Sequence, residues 1–149
     1  MPEALSYELH KLAARLDSAA DGLLRSEAGV SYSRFLALFA VGETGGSQRD
    51  LARWLGLTEP STSRMVGVLA GDGLLIVARL AGAGNRRQLQ LTDEGARLVE
   101  RYSHMLEDLF ADLVRRSGVP FATYQRHTRR LLAQLDSDQQ EAAMRSGAA

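Results

Sequence analysis

Three groups of residues in the middle of the chain have the types and spacing to grip an anion or read a polar edge. Ser47-Gln48-Arg49 stand where a helix begins, just after the pair Gly45-Gly46. Their side-chain donors, together with the free N–H groups of a helix start, suit a phosphate oxygen, and Ser47 can cap the helix as well. Pro60, Ser61, Ser63, Arg64 and Gly67 are left outward on the next helix, whose inner face takes Thr62, Met65 and Leu69. Taken alone this face reads equally well as an ordinary solvated one, although that favours long charged side chains and this one is short with a single arginine. Only the order of the neighbouring motifs decides for DNA. Small residues let a helix seat deeply in a DNA major groove, where an arginine makes a bidentate contact with guanine. Arg86-Arg87 follow the glycine-rich stretch Gly82-Ala83-Gly84-Asn85 and lead into an alternating run. A doubled charge has no use in a turn, but an arginine carried there can enter a minor groove, whose narrow A·T stretches have an enhanced negative potential. Arg53 and Arg79 read as general surface charge.

The distribution of charge agrees with that placement. The 149 residues carry 18 basic and 18 acidic side chains, a formal net charge of zero. Residues 47–92 hold six arginines against three acids, while the segments before and after carry surpluses of two and one negative charges. A basic middle is compatible with an anionic partner. Seventeen of the basic residues are arginine and one is Lys11, so arginine abundance by itself carries little information. With no cysteine, disulfides, thiolate metal sites and catalytic thiols are excluded. His10, His104 and His127 are far apart and show no paired spacing for a metal. "GAGN" lies between two strands, not before a helix, so it is no phosphate-binding loop, and nothing in the chain calls for a cofactor or a catalytic group. The start carries Glu3, Glu8 and Asp17 among its leucines, unlike a secretory signal, and no apolar run is long enough to cross a membrane. A cytoplasmic, non-enzymatic, single-domain protein is expected.

Periodicity supplies the elements that position these residues. Leu5, Leu9, Leu12, Leu16 and Leu23 recur at spacings of three and four, predicting a helix to about Arg25 that Gly29 ends. "SYSRFLALFAVGETGG" predicts a more buried helix capped by Ser31 or Ser33, with Phe35, Leu36, Leu38 and Phe39 inside, stopped by Gly42 and Gly45-Gly46. Ser47 with Asp50 resembles a capping box, Gly56 closes that helix, and Thr58 caps the next, with Pro60 tolerated in its first turn. The two form a helix-turn-helix. Leu75–Leu80 and Arg87–Leu91 predict a hairpin. Thr92 caps a helix through Leu98, Tyr102, Leu106, Leu109 and Leu113 to Gly118. Pro120 opens a last helix with Phe121, Tyr124, Thr128, Leu131 and Leu135, and the polar segment after Ser137 is expected to fray. The fold class is therefore mainly α with one small β-hairpin. Apolar stripes at both ends exceed what the middle can cover, which predicts a homodimer.

In this order the segments resemble the MarR family of winged helix-turn-helix transcriptional regulators. The likeness rests on Leu51-Ala52, Leu55-Gly56-Leu57, Ser63-Arg64, Gly73-Leu74, the Arg86-Arg87 pair, and Leu91-Thr92 with Gly95, and it covers nearly the whole chain. The arginine pair stands about two residues further from the recognition helix than in the family, with Asn85 in the place of an Asp. A shift of two leaves facing unchanged in a strand. The resemblance implies a DNA-binding lobe over 31–92, dimerisation helices over 1–30 and 93–138, and a tail at 139–149. It implies double-stranded DNA as partner, bound as a pseudo-palindrome, and control by a small aromatic or anionic ligand. Tyr32, Arg34, Phe39 and Tyr102 are the nearby candidates for that ligand. The alternative is a winged-helix dimer that serves as a protein-interaction module without binding DNA.

Overall fold

A computed structural model of the chain describes residues 4–79 and 87–147. Six helices and two strands follow in the expected order: α1 (Leu5–Ala28), α2 (Tyr32–Thr44), α3 (Gln48–Leu55), α4 (Glu59–Gly71), β1 (Leu75–Arg79), β2 (Arg87–Leu91), α5 (Asp93–Ser117) and α6 (Phe121–Gly147). Among the described residues no helix is long and apolar enough to cross a membrane. The chain divides into two compact units, Met1–His104 and Met105–Ala149.

In the first unit, local chemistry sets nearly every boundary. Ser31, Ser47 and Thr58 each place a side-chain oxygen on a free N–H of the following helix. At Ser47 the capping box is complete, because the Asp50 carboxylate reaches back to the Ser47 N–H. Gly29, Gly45 and Gly56 take the left-handed conformation at the ends of α1, α2 and α3. Gly42 does not stop α2 as expected. It lies inside the helix, where a Cβ would come within 3.1 Å of Leu91 Cδ1, so its place is set by the close approach of β2. Asp21 on α1 fixes the turn into α2 by accepting the Tyr32 N–H at 2.8 Å and Arg25 Nε at 2.7 Å. Those two hydrogen bonds hold its carboxyl below the ordinary carboxylate range.

The core gathers Ala37, Leu38 and Val41 of α2, Leu51 of α3, Val66 and Leu69 of α4, and Leu74, Leu75 and Leu89 of the hairpin. Thr62 is fully buried among them, and its hydroxyl donates to the Thr58 carbonyl at 2.9 Å, so no polar atom is stranded. On α4 the inner face is Thr62, Val66 and Leu69, with Met65 only half-buried; the helical stripe is rotated by one residue from the expected one.

β1 and β2 pair antiparallel, Leu75 with Leu91 and Val77 with Leu89. A third piece of backbone joins them, since Leu89 N–H donates to the Gly46 carbonyl at 3.2 Å and Ser47 bridges Gln88. At the other end of β2 the Thr92 N–H donates to the Leu74 carbonyl at 3.1 Å and its hydroxyl to the Gly73 carbonyl at 2.6 Å. The same hydroxyl oxygen accepts the Gly95 N–H at 3.0 Å. Thr92 therefore caps α5 and ties its start to the base of the hairpin.

In the second unit, Phe110 and Tyr124 meet with ring centroids 6.4 Å apart, and Asp112 accepts from Arg115 and Arg116. The chain after Ser137 is helical through Gly147, where fraying was expected. Its Gln, Glu, Ala and Met residues are good helix formers, and the pairs Gln134–Asp138 and Arg145–Glu141 add i,i+4 support.

A methyl at Gly95 would overlap the Leu74 carbonyl oxygen, which belongs to backbone that Thr92 already holds. Gly95→Ala is expected to destabilise the fold by about 1–3 kcal/mol in urea denaturation. Gly22→Ala, where a methyl meets nothing within 4 Å, should instead gain up to about 1 kcal/mol.

Candidate nucleic-acid interface

The outer face of α4 agrees with the expected one at three of its five positions. Pro60, Arg64 and Gly67 are exposed, while Ser61 and Ser63 are half-buried at its edges. Thr58 caps the helix through the Ser61 N–H at 3.2 Å and donates its own hydroxyl to Ser61 Oγ at 3.0 Å. Arg64 Nη2 approaches the same oxygen at 3.4 Å, a long contact that leaves the rest of the guanidinium uncommitted. Gly67 stands mid-helix, where glycine costs about 1 kcal/mol relative to alanine. A Cβ there would meet nothing within 4 Å, so packing inside the chain gives no reason for the glycine. Val68, exposed beside it, was not expected in the site. Its outward position was legible from the helical period, and an apolar side chain suits a thymine methyl.

At the start of α3 two of the three expected donors, Ser47 and Arg49, prove to be occupied. Ser47 N–H and Oγ both donate to Asp50 Oδ2, at 3.0 and 2.8 Å. Gln48 is half-buried with its Oε1 enclosed and without a hydrogen-bond partner among the described residues. Arg49 Nε donates to Glu59 Oε1 at 3.0 Å, an exposed ion pair between α3 and the first turn of α4. Sequence reasoning placed these residues at the start of α3 but not the two carboxylates that hold Ser47 and Arg49.

Arg87 is the first residue of β2 and is exposed; Arg86 and the stretch from Gly82 to Asn85 lie outside the described residues. Directly across the hairpin from Arg87 stands Arg79, also exposed. Like charges placed opposite on neighbouring strands repel, so the register sets two exposed positive charges side by side at this end of the ladder. Gln88, next along, sends its Nε2 to the Gly45 carbonyl, which adds a side-chain tie between the hairpin and the turn before α3.

The four ligand candidates separate. Tyr32 and Phe39 stack on either side of Phe35 along α2, each at 6.5 Å between centroids. Burial and then the negative charge of Asp17 raise the Tyr32 hydroxyl above its ordinary pKa, so it stays a neutral donor. Tyr102 is buried, its hydroxyl donates to the Glu27 carbonyl at 3.1 Å, and Arg101 lies 5.5 Å over its ring. Arg34 is half-buried on the first turn of α2. None of the four lines the open cleft of about 550 Å³ in the second unit, which is formed by Asp108, Asp112, Arg115, Val119 and Phe121 with Ala111 and Gly118.

Gln88→Ala is expected to leave the fold intact while loosening the seam beside it. Hydrogen exchange at the Leu89 amide should quicken by roughly two- to tenfold, the equivalent of one lost hydrogen bond.

No protein-family model and no curated protein sequence matches the chain. Solved structures do. The Staphylococcus aureus MepR–DNA complex aligns with a TM-score of 0.73 at 22% identity, over 91% of this chain and 98% of that one. NadR in complex with 4-hydroxyphenylacetate aligns with a TM-score of 0.75 at 20% identity, over 89% and 92%. A MarR-family protein from Bacillus stearothermophilus also gives 0.75, at 19% identity over 88% and 92%. Helix order, hairpin and near-complete coverage agree: the chain has the winged-helix fold of the MarR-family regulators.

Proposed function

We propose that this protein is a MarR-type transcriptional regulator, a homodimer that binds a pseudo-palindromic site on double-stranded DNA. It works by binding and not by catalysis, in the cytoplasm. The observation that carries this reading is the outer face of α4, where a glycine that packing does not need stands beside an arginine with no carboxylate partner among the described residues. Such a face fits a major groove, with Arg64 toward guanine and the small residues allowing depth. Arg79 and Arg87 give the hairpin a paired positive charge that a phosphate backbone neutralises, and Arg86, which precedes Arg87 in the sequence, adds one more charge. Ser47, Gln48 and Arg49 serve the flanking backbone. One neighbour in fold, MepR, was solved with DNA.

Two copies are needed to cover the apolar surface left outside. Leu5, Leu9 and Leu12 on α1 are 65%, 45% and 37% exposed, and Leu131, Leu132 and Leu135 on α6 are more than half exposed. Lone monomers rarely leave such stripes to water. Two recognition helices would then enter successive major grooves one turn apart. For the effector, the neighbour solved with 4-hydroxyphenylacetate favours a small aromatic acid. Tyr32, Arg34, Phe39 and Tyr102 offer rings and a cation, though the Tyr102 hydroxyl is already engaged.

Gly67→Ala separates this reading from a helix that is merely solvated. It should gain about 0.4–1 kcal/mol in stability yet bind DNA from its own upstream region more weakly, by anisotropy titration. Arg64→Ala should lose about 1–3 kcal/mol of discrimination between sites. Arg86→Ala and Arg87→Ala should each flatten the dependence of log affinity on log salt by about one unit. Binding that ignores salt in the wild-type chain would instead favour a protein-interaction module.

A further inference from the structure

Glu59 is out of place if α4 only has to approach a polyanion. It is the first residue of the helix and 60% exposed in its side chain, and a phosphate backbone would repel it. It is not needed as a cap, because Thr58 already serves the Ser61 N–H. Nor is it a stabilising ion pair of any strength, since both partners are largely exposed and meet through one nitrogen, Arg49 Nε, at 3.0 Å. What it does do is occupy Arg49. Among the described residues assigned to DNA, Arg64 and Arg87 have no carboxylate partner, and Arg49 has this one.

Resting on the DNA-binding reading above, we propose that Glu59 is a specificity-determining residue that exchanges partners when the right base arrives. In the free protein its carboxylate holds Arg49. In the matched complex it accepts a hydrogen bond from the exocyclic amine of a cytosine in the major groove, and Arg49 is released to the neighbouring phosphate. The first turn of a recognition helix is the part that meets base edges, and a carboxylate, which only accepts, finds in cytosine N4 the donor that suits it. On unmatched DNA no amine replaces the guanidinium unopposed, since the only other exocyclic donor in the groove, adenine N6, stands beside the N7 lone pair that repels a carboxylate. Glu59 then either keeps Arg49 from the phosphate or faces the backbone unpaired. One residue thereby favours the matched site and disfavours the rest.

Selection of bound sequences from random duplex DNA tests this with the wild-type chain, Glu59→Gln, Glu59→Ala and Arg49→Ala, each first checked for an unchanged melting temperature within a few degrees. Wild type should enrich cytosine at one position per half-site by fivefold or more over other bases. Glu59→Ala should lose that enrichment, and Glu59→Gln should shift it toward adenine. Both should bind random duplex about two- to fivefold more tightly than wild type. Arg49→Ala should bind all sequences more weakly and keep the cytosine preference. If the Glu59 variants select the same bases as wild type, whether or not they bind more tightly, the carboxylate only screens charge and the proposal is overturned. If wild type selects no sequence at all, the DNA-binding reading fails, and this inference with it.

Discussion

A short seam of backbone hydrogen bonds governs the basic side of this molecule. Gly46 and Ser47 pair with Gln88 and Leu89 as a fragment of a third strand, and Gln88 adds its side chain to the Gly45 carbonyl. The hairpin root and the start of α3 are consequently one piece of structure. Their relative position is set by hydrogen-bond geometry, which tolerates a few tenths of an ångström, and not by the reach of long side chains. Three residues away, Thr92 performs the same service toward α5 by joining Gly73, Leu74 and Gly95. Leu89, whose N–H belongs to the first tie, is fully buried and anchors the hairpin in the core. An arginine at position 87 is therefore carried on a rigid base.

Much of this was legible in the sequence, for reasons that can be named residue by residue. Caps work through atoms adjacent in the chain, so Ser31, Ser47, Thr58 and Thr92 marked helix starts correctly. Left-handed glycines at 29, 45 and 56 marked ends for the same local reason. Gly42 misled because its cause is distant: Leu91 comes within a methyl's reach of it, and no local rule registers a neighbour 49 residues away. Val66 was missed because a helix of thirteen residues with two small faces admits a rotation of its stripe by one position. The polar segment after Ser137 looked ready to fray, yet polarity and helicity are independent properties, and its residues favour a helix.

The site shows the same division. Which residues face outward followed from the helical period, so Pro60, Arg64 and Gly67 were found from spacing alone. Which donors are already engaged did not follow, because Asp50 and Glu59 act through rotamers that spacing does not specify. Arg79 looked ordinary until strand register set it against Arg87, and register depends on hairpin geometry that the glycine-rich stretch leaves open.

That rung of two guanidiniums has an effect on the hairpin itself. Hydrophobic pairs such as Leu75 with Leu91 hold the strands together near the core, while Arg79 and Arg87 place like charges opposite each other at the outer end of the described ladder. The first force hardly notices dissolved ions; the second weakens as the Debye length contracts from about 30 Å at 0.01 M to about 8 Å at 0.15 M. The repulsion across that rung is thus a quantity the surrounding electrolyte adjusts, largest in dilute buffer and smaller where salt is plentiful.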